Sequence, residues 1–344
     1  MRRALELAAA VRARTAPNPW VGCVVVGADG RSFEGATQPP GGPHAEAVAL
    51  AAAGAAARGA TLYTTLEPCA HHGRTAPCAQ AIADAGVARV VIAIEDPDSH
   101  VAGRGAETLR RRGVEVTAGV ASEQSAELLA PYLKHRRTGR PWVVLKLAAT
   151  LDGRIAAPDG SSKWITGEAA RADAQHLRAE SDAVLVGAGT VRVDDPRLTV
   201  RSDPPPEHQP LRVVLGRAPE GAKVLPAVEA EGDLGTLLDE LGGKGVLQLL
   251  VEGGARVAHQ FHAGGLVDRY VLYLAPAFFG GDDALPVFRG PGAAEVEGLW
   301  RGRLVSVRRL GDDLRVELAP AAAAGAESEG VVDASSADGE PGGG

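Results

Sequence analysis

Two successive runs of alternating strand and helix patterns constrain the fold of this chain more than any other feature. The first run has strand patterns at residues 21–26, 61–65, 89–94 and 114–117, with helix patterns at 4–11, 44–58, 78–85 and 105–112. The second run has strand patterns at 142–149, 183–186, 211–215, 246–251 and 269–275, with helix patterns at 168–180, 234–241 and 255–263. Such alternation predicts sheets covered by helices, which is the α/β class.

A polar, basic segment that ends in proline separates the two runs. It covers residues 136–141, and this composition is typical of a linker. We therefore predict one domain over 1–135 and a second over 142–320. The second closes with strand patterns at 304–310 and 314–318, which only Gly311-Asp312-Asp313 separates, so we expect them to pair antiparallel. Residues 321–344 are rich in Ala, Gly, Ser and Glu without apolar periodicity, which predicts a disordered tail.

Charge and composition disfavour several classes of function. The 344 residues carry a formal net charge of −7 and only 4% are aromatic, which argues against binding to nucleic acid or to an anionic membrane. No apolar run approaches the roughly 20 residues that span a bilayer, and the N-terminus lacks a signal-peptide pattern, so we expect a cytoplasmic protein. The three cysteines are too few for a disulfide framework, which favours metal binding or chemistry.

His44, Cys69 and Cys78 have the residue types of a catalytic zinc site, which uses three nitrogen or sulfur ligands and keeps a fourth position for water. We expect His44 and Cys69 at the N-terminal ends of helices, where backbone dipoles favour a thiolate. Glu46 could then take a proton from the water and deliver it to a departing amine. The third cysteine, Cys23, lies in an apolar strand pattern and is predicted to pack in the core.

The order of these residues is typical of zinc-dependent nucleobase deaminases, in which H-x-E is followed by P-C and a second cysteine. Two other interpretations stay open. A structural zinc site would close its tetrahedron with a fourth protein ligand, for which His71 or His72 is available. A deaminase of nucleic acid would need a basic groove with stacking aromatic rings, which the composition disfavours.

The first half resembles the deaminase half of the RibD family of bifunctional riboflavin biosynthesis proteins. The resemblance is carried by segments 15–22, 44–46, 65–78 and 96–105. It implies a cytidine-deaminase-like, three-layer α/β/α domain that deaminates 2,5-diamino-6-ribosylamino-4(3H)-pyrimidinone 5′-phosphate. It also implies that Asn18 and Arg74 contact the substrate, with Asp96 as a further candidate. An amide suits a pyrimidine edge, and a guanidinium group suits a phosphate.

The second half has no G-x-G-x-x-G after a strand, so an ordinary Rossmann site is not predicted. Glycines do follow two strand patterns, in Gly187-Ala188-Gly189-Thr190 and Glu252-Gly253-Gly254, where backbone N–H groups can approach a pyrophosphate. With segments 146–154, 161–167 and 189–201, they resemble the reductase half of the same family. The resemblance implies an α/β fold similar to dihydrofolate reductase and NADPH-dependent reduction of a ribosyl group to a ribityl group.

The resemblance also assigns residues of the second half to two ligands. Those that match cofactor contacts are Ala148, Trp164, Thr190, Asp194, Gly253 and Gly254. Those that match substrate contacts are Ser162, Arg178, Leu198, Arg201 and Glu252.

We therefore predict a bifunctional enzyme with one zinc ion at the deaminase site and NADPH at the reductase site. Its substrate is a small phosphorylated pyrimidine, and neither nucleic acid nor a membrane is an expected partner. A homo-oligomer is left open. The alternative is a deaminase of another pyrimidine or purine nucleotide whose second domain is degenerate.

Overall fold

The structure is a computed structural model that describes residues 1–70, 77–98, 101–201, 206 and 208–321. The described part of the chain forms a five-stranded sheet, an eight-stranded sheet and a small two-stranded sheet, with helices against them. The predicted α/β class is confirmed. Of the predicted tail, only residue 321 lies within the described residues.

The first half builds the five-stranded sheet. Its elements are α1 (Arg2–Val11), β1 (Gly22–Val26), β2 (Ser32–Ala36), α2 (Ala45–Ala53), β3 (Thr61–Thr64), α3 (Cys78–Asp84), β4 (Arg89–Ile92), α4 (Arg104–Arg111), β5 (Glu115–Ala118), α5 (Ser122–Leu128) and α6 (Ala130–Thr138). The strand order is β2-β1-β3-β4-β5. Strands β3, β4 and β5 are parallel, whereas β1 is antiparallel to both neighbours. The amino end of β1 therefore meets the carboxyl ends of β3 and β4 at one edge of the sheet.

Two glycines allow helices to approach this sheet closely. A Cβ atom on Gly35 of β2 would lie 2.1 Å from the carbonyl oxygen of Ala45, the first residue of α2. A Cβ atom on Gly22 of β1 would lie 1.9 Å from the carbonyl oxygen of Ala4 in α1. Only hydrogen fits at these contacts. The Gly35 contact sets how closely α2 lies against the sheet, and therefore where the first residues of α2 lie.

The second half builds the eight-stranded sheet. Its elements are β6 (Trp142–Thr150), β7 (Arg154–Ala156), α7 (Glu168–Ala179), β8 (Ala183–Gly187), α8 (Ala188–Asp194), β9 (Leu211–Leu215), β10 (Val228–Ala230), α9 (Leu234–Gly243), β11 (Gln248–Val251), α10 (Ala255–Ala263), β12 (Arg269–Ala275), β13 (Leu285–Pro286), β14 (Gly302–Leu310) and β15 (Asp313–Pro320). The order is β10-β9-β8-β11-β6-β12-β15-β14. The predicted antiparallel pairing of the last two strands is confirmed.

Several elements were not predicted. These are β2, α5, α6, β7, β10 and β13, all of them short. Helix α6 also extends into the predicted linker and ends only at Gly139, whose φ of 73° is favourable for glycine. The helix continues there because it is held against the second half, where the Nζ atom of Lys134 lies 2.5 Å from Asp268. The domain boundaries themselves stay a prediction.

Contacts between the two halves are both apolar and polar. Leu247, from the loop before β11, packs in the hydrophobic core of the first half. Arg12 donates to the side-chain oxygen of Gln248 at 2.6 Å, and Arg269 donates to Glu127 at 2.6 Å. The first half therefore lies against the amino end of β11. Among the helices of the described residues, none is long and apolar enough to cross a membrane.

Candidate active sites

Three potential zinc ligands converge at the edge of the first sheet. The Nδ1 atom of His44 lies 3.7 Å from the Sγ atom of Cys69 and 3.3 Å from that of Cys78. All three ligand atoms lie within 4.8 Å of one another. Nitrogen and sulfur ligands of one tetrahedral zinc ion lie about 3.6 Å apart, given bond lengths of roughly 2.0–2.3 Å. The cluster therefore fits one zinc ion in both spacing and ligand chemistry.

The elements that carry these ligands differ in one respect from the prediction. His44 is the N-cap of α2, in extended conformation, as expected. Cys69 was wrongly placed at a helix terminus: it lies in the irregular segment after β3, and Cys78 is the residue that begins a helix, α3. The backbone N–H of Cys78 faces the Sγ atom of Cys69 at 3.4 Å. A helix start therefore still stabilises negative charge on Cys69, but it is the start of α3, which begins at Cys78.

Electrostatics around the cluster favour a thiolate and a carboxyl group that can hold a proton. The hydrogen bond with Cys78, together with that of His44, lowers the pKa of the Cys69 thiol well below its usual range. Glu46, in the first turn of α2, is 4% exposed. Burial raises the pKa of Glu46 to about 7, and negative charge on Cys69 acts in the same direction. A carboxyl group with this pKa can both accept and donate a proton near neutral pH.

Other predicted residues of the first half lie at the same sheet edge or outside the described residues. Asn18 lies in a turn before β1, where its backbone N–H donates to the carbonyl of Thr15 at 2.8 Å. Asp96 follows β4 and is buried. Arg74 lies outside the described residues, as do His71 and His72, the two candidate fourth ligands. Cys23 is fully buried in the core, as predicted.

A cavity of about 1300 Å³ opens at the carboxyl ends of strands β6, β8 and β11. It is lined by all eleven residues that the second half was predicted to use, namely Ala148, Ser162, Trp164, Arg178, Thr190, Asp194, Leu198, Arg201, Glu252, Gly253 and Gly254. Pockets for a single small ligand are commonly about 300–1,000 Å³. This cavity is large enough for a dinucleotide beside a second ligand.

The donor groups of the cavity fit a phosphorylated cofactor. Gly254 is the N-cap of α10, so backbone N–H groups of that helix start at the cavity wall. Basic side chains also line it, including Arg192, Arg217, Lys223 and Arg256. Trp164 is 67% exposed, and the guanidinium carbon of Arg171 lies 4.7 Å from its ring centroid. The cavity thus offers cations, helical N–H groups and one aromatic face to a nucleotide.

An ion pair with little exposure lies at one side of this cavity. Arg178 of α7 donates to both carboxylate oxygens of Glu252, at 2.6 and 2.8 Å. Burial alone favours the neutral acid, but the hydrogen bonds from Arg178 outweigh it and lower the pKa of Glu252. The pair therefore keeps a carboxylate fixed and ionised after β11.

Lys146 is a cavity residue that the sequence analysis did not single out. It is half-buried at the cavity wall, where the Glu252 carboxylate acts on its charge, and its Nζ atom lies 5.8 Å from the ring centroid of Tyr273. Burial lowers its pKa. The signal was available: residues two apart on a strand share a face, and Ala148 was already assigned to the site. Lys146 therefore adds a cation inside the cavity.

Comparisons with known proteins agree with both sites. Residues 1–94 match the family model of the cytidine and deoxycytidylate deaminase zinc-binding region, and residues 141–316 match that of the RibD C-terminal domain. The chain is 39% identical to the riboflavin biosynthesis protein RibD of Escherichia coli, over 92% of this chain and 98% of that protein. It is 41% identical to the RibD protein of Mycobacterium tuberculosis H37Rv, over 92% of this chain and 95% of that protein.

Solved structures show the same likeness over both halves. A structure of Acinetobacter baumannii RibD has a TM-score of 0.87 at 40% identity and covers 93% of this chain and 98% of its own. A deaminase/reductase from Thermotoga maritima has a TM-score of 0.84 at 36% identity, with coverage of 93% and 97%. The similarity therefore spans the zinc cluster, the cavity and their order along the chain. The chain belongs to the RibD family and is a bifunctional enzyme with a zinc-dependent deaminase domain followed by an NADPH-dependent reductase domain.

Proposed function

We propose that the chain catalyses two consecutive steps of riboflavin biosynthesis on one phosphorylated pyrimidine. The first is hydrolytic deamination of 2,5-diamino-6-ribosylamino-4(3H)-pyrimidinone 5′-phosphate. The second is reduction of the ribosyl side chain, which gives 5-amino-6-(5-phosphoribitylamino)uracil. One observation carries the proposal: a three-ligand metal cluster beside a buried carboxyl group and a separate cation-lined cavity occur in one chain. The Thermotoga maritima protein is named for this pair of activities.

In the deamination, His44, Cys69 and Cys78 hold zinc, whose chemistry in such sites is the activation of water at neutral pH. Glu46 accepts a proton from the attacking water and delivers it to the leaving amine. A C–O bond replaces the C–N bond, and ammonia departs. The position of Glu46 in the first turn of α2, two residues from His44, supports this role. Asn18 and Arg74 bind the substrate.

In the reduction, NADPH supplies the hydride, and the protein orients its reaction partners. Ala148, Trp164, Thr190, Asp194, Gly253 and Gly254 bind the cofactor. The substrate contacts are Ser162, Arg178, Leu198, Arg201 and Glu252. The site of reduction is C1′ of the ribose in its open, imine-like form. Lys146 lines the same cavity as Glu252 and offers the substrate a positive charge and a proton.

The test is mass analysis of the products formed from the diaminopyrimidinone phosphate by the zinc-loaded protein, with and without NADPH. We expect the deaminated intermediate without NADPH and the ribityl product with it, together with oxidation of NADPH. Deamination without any oxidation of NADPH would support the alternative of a degenerate second domain. All eleven residues predicted to bind the cofactor or the substrate line one cavity, which argues against that alternative. A cytoplasmic location stays a prediction, and the oligomeric state stays open.

A further inference from the structure

The segment after β4 is attached to the turn that carries Cys69. Glu67, two residues before Cys69, is buried, and its carboxylate accepts three backbone N–H groups of this segment. The donors are Asp96 at 3.2 Å, Gly103 at 2.9 Å and Ala106 at 3.0 Å. Because β3 and β4 are parallel, both segments leave the sheet at the edge that holds the metal cluster. Asp96 is therefore placed relative to the deaminase site by its backbone.

The side chain of Asp96 is fixed from a different element, helix α6. The hydroxyl group of Tyr132 donates to its Oδ2 atom at 3.0 Å, and the backbone N–H of Asp98 donates to its Oδ1 atom at 2.9 Å. Both Tyr132 and Asp96 are buried. Arg136, one turn along α6, lies 3.7 Å from the carboxylate of Asp98 and packs over the Tyr132 ring. The face of α6 that carries Tyr132 and Arg136 thus fixes the orientation of the Asp96 carboxylate.

The opposite side of the same turn of α6 contacts the reductase domain. Lys134 binds the carboxylate of Asp268 at 2.5 Å, and Asp268 also accepts the backbone N–H of Val143 at 2.7 Å. The Nε2 atom of His135 lies 3.0 Å from the carbonyl oxygen of Gly242. A helix of nine residues has little stability by itself, so these contacts determine its position.

We propose that Tyr132 is a positioning residue of the deaminase, and that the reductase domain fixes the Asp96 carboxylate through the contacts of Lys134 and Tyr132 on α6. The proposal rests on the proposed deamination and on Asp96 as a further substrate contact, the role that the resemblance implies; Asp96 follows β4 at the sheet edge that holds the metal cluster. Docking of the reductase domain then improves substrate binding in the deaminase domain, without transfer of any group between the sites.

The first variant is Tyr132→Phe, which removes only the hydroxyl group. Its control is Tyr63→Phe, which removes the same group from strand β3 of the same domain. Loss of one hydrogen bond to a buried carboxylate predicts a rise of about tenfold in the deaminase KM. The second variant is Lys134→Met, which keeps the aliphatic stem and breaks the contact between domains. We expect a smaller rise in the same KM, about threefold. Zinc content and reductase turnover stay at the wild-type level in both.

Hydrogen exchange provides a readout that does not depend on the substrate. The backbone amide of Asp98, which donates to the Asp96 carboxylate, should exchange faster in both variants, and not in Tyr63→Phe. Faster exchange without any change in deaminase KM would overturn the role of Tyr132 in substrate binding. Unchanged exchange and KM in Lys134→Met would overturn the coupling between domains. If the wild-type protein does not deaminate the diaminopyrimidinone phosphate at all, the proposed function fails, whereas the exchange result still decides the coupling.

Discussion

Replacement of Glu252 by glutamine tests how far burial strengthens an ion pair in the reductase cavity. Arg178 makes two hydrogen bonds to Glu252, at 2.6 and 2.8 Å, and the two side chains are 15% and 10% exposed. Glutamine keeps a single acceptor oxygen and has no charge. Arg178 would then retain that acceptor and a 3.3 Å contact with the carbonyl oxygen of Thr199.

The expected loss follows from these contacts. A hydrogen bond to a charged group contributes about 1.5–3 kcal/mol, and removal of one partner from a buried pair costs about 3–5 kcal/mol. Because glutamine preserves one of the two acceptors, we expect a loss of about 3 kcal/mol in the free energy of unfolding of the reductase domain. The pair Arg140–Asp239 supplies a matched control: its hydrogen bonds are also 2.6 and 2.8 Å, but its side chains are 37% and 58% exposed. Asp239→Asn should leave the free energy of unfolding nearly unchanged, because water screens the charges of an exposed pair.

Urea denaturation of both variants, followed by circular dichroism and tryptophan fluorescence, measures the two losses. Equal losses in Glu252→Gln and Asp239→Asn would refute the argument from burial. The pH dependence adds a second check. The pKa of Glu252 is lowered in the folded protein, so the pair contributes its full stability above the ordinary glutamate pKa of about 4.3 and loses it as the pH falls through the lowered value. The difference between wild type and Glu252→Gln should therefore shrink in acid.

Three further predictions concern the two reactions. Glu46→Gln should lower deaminase turnover by about 10²–10⁴-fold with zinc still bound, and full turnover would contradict its role in proton transfer. Cys78→Ser should lose zinc, measured by elemental analysis, and deamination but keep reduction, whereas Cys23→Ala should keep all three. Lys146→Met should lower reductase turnover. Because burial lowers the pKa of Lys146, the wild-type rate should fall with rising pH below the usual lysine range, and that alkaline limb should be absent from the variant's pH profile.

Much of the chemistry was predictable because it depends on residue types and on local order. The ligand set His44, Cys69 and Cys78 could be identified without knowledge of any contact. The same holds for the closing antiparallel strands, since only a short turn separates them. The glycine segments after β8 and β11 were also visible, although they gain meaning only from the resemblance. In each case the signal consists of short motifs, each of a few residues, whose residue types and spacing can be recognised without knowledge of the fold.

Other features depended on packing between distant parts of the chain. Strand β2 was missed because only one of its five residues, Gly35, is buried, and its close contact with α2 depends on Gly35 fitting against Ala45. Helix α6 was taken in part as a linker because its basic residues resemble a solvated segment. In the structure, Lys134 has its partner, Asp268, 134 positions away.

The sequence by itself determined the three residues of the metal cluster, the order of two α/β domains and eleven of the residues that line the reductase cavity, whereas the role of Glu46 as proton carrier stays a prediction. The tertiary structure decided which helix start faces the Cys69 thiol, that Lys146 lies in the cavity and what holds the Asp96 carboxylate. The physical reason is the distance along the chain over which each kind of signal acts. Residue types and spacing act along the chain, whereas the direction of a buried side chain depends on elements that meet only when parallel strands and docked helices bring them to the same edge.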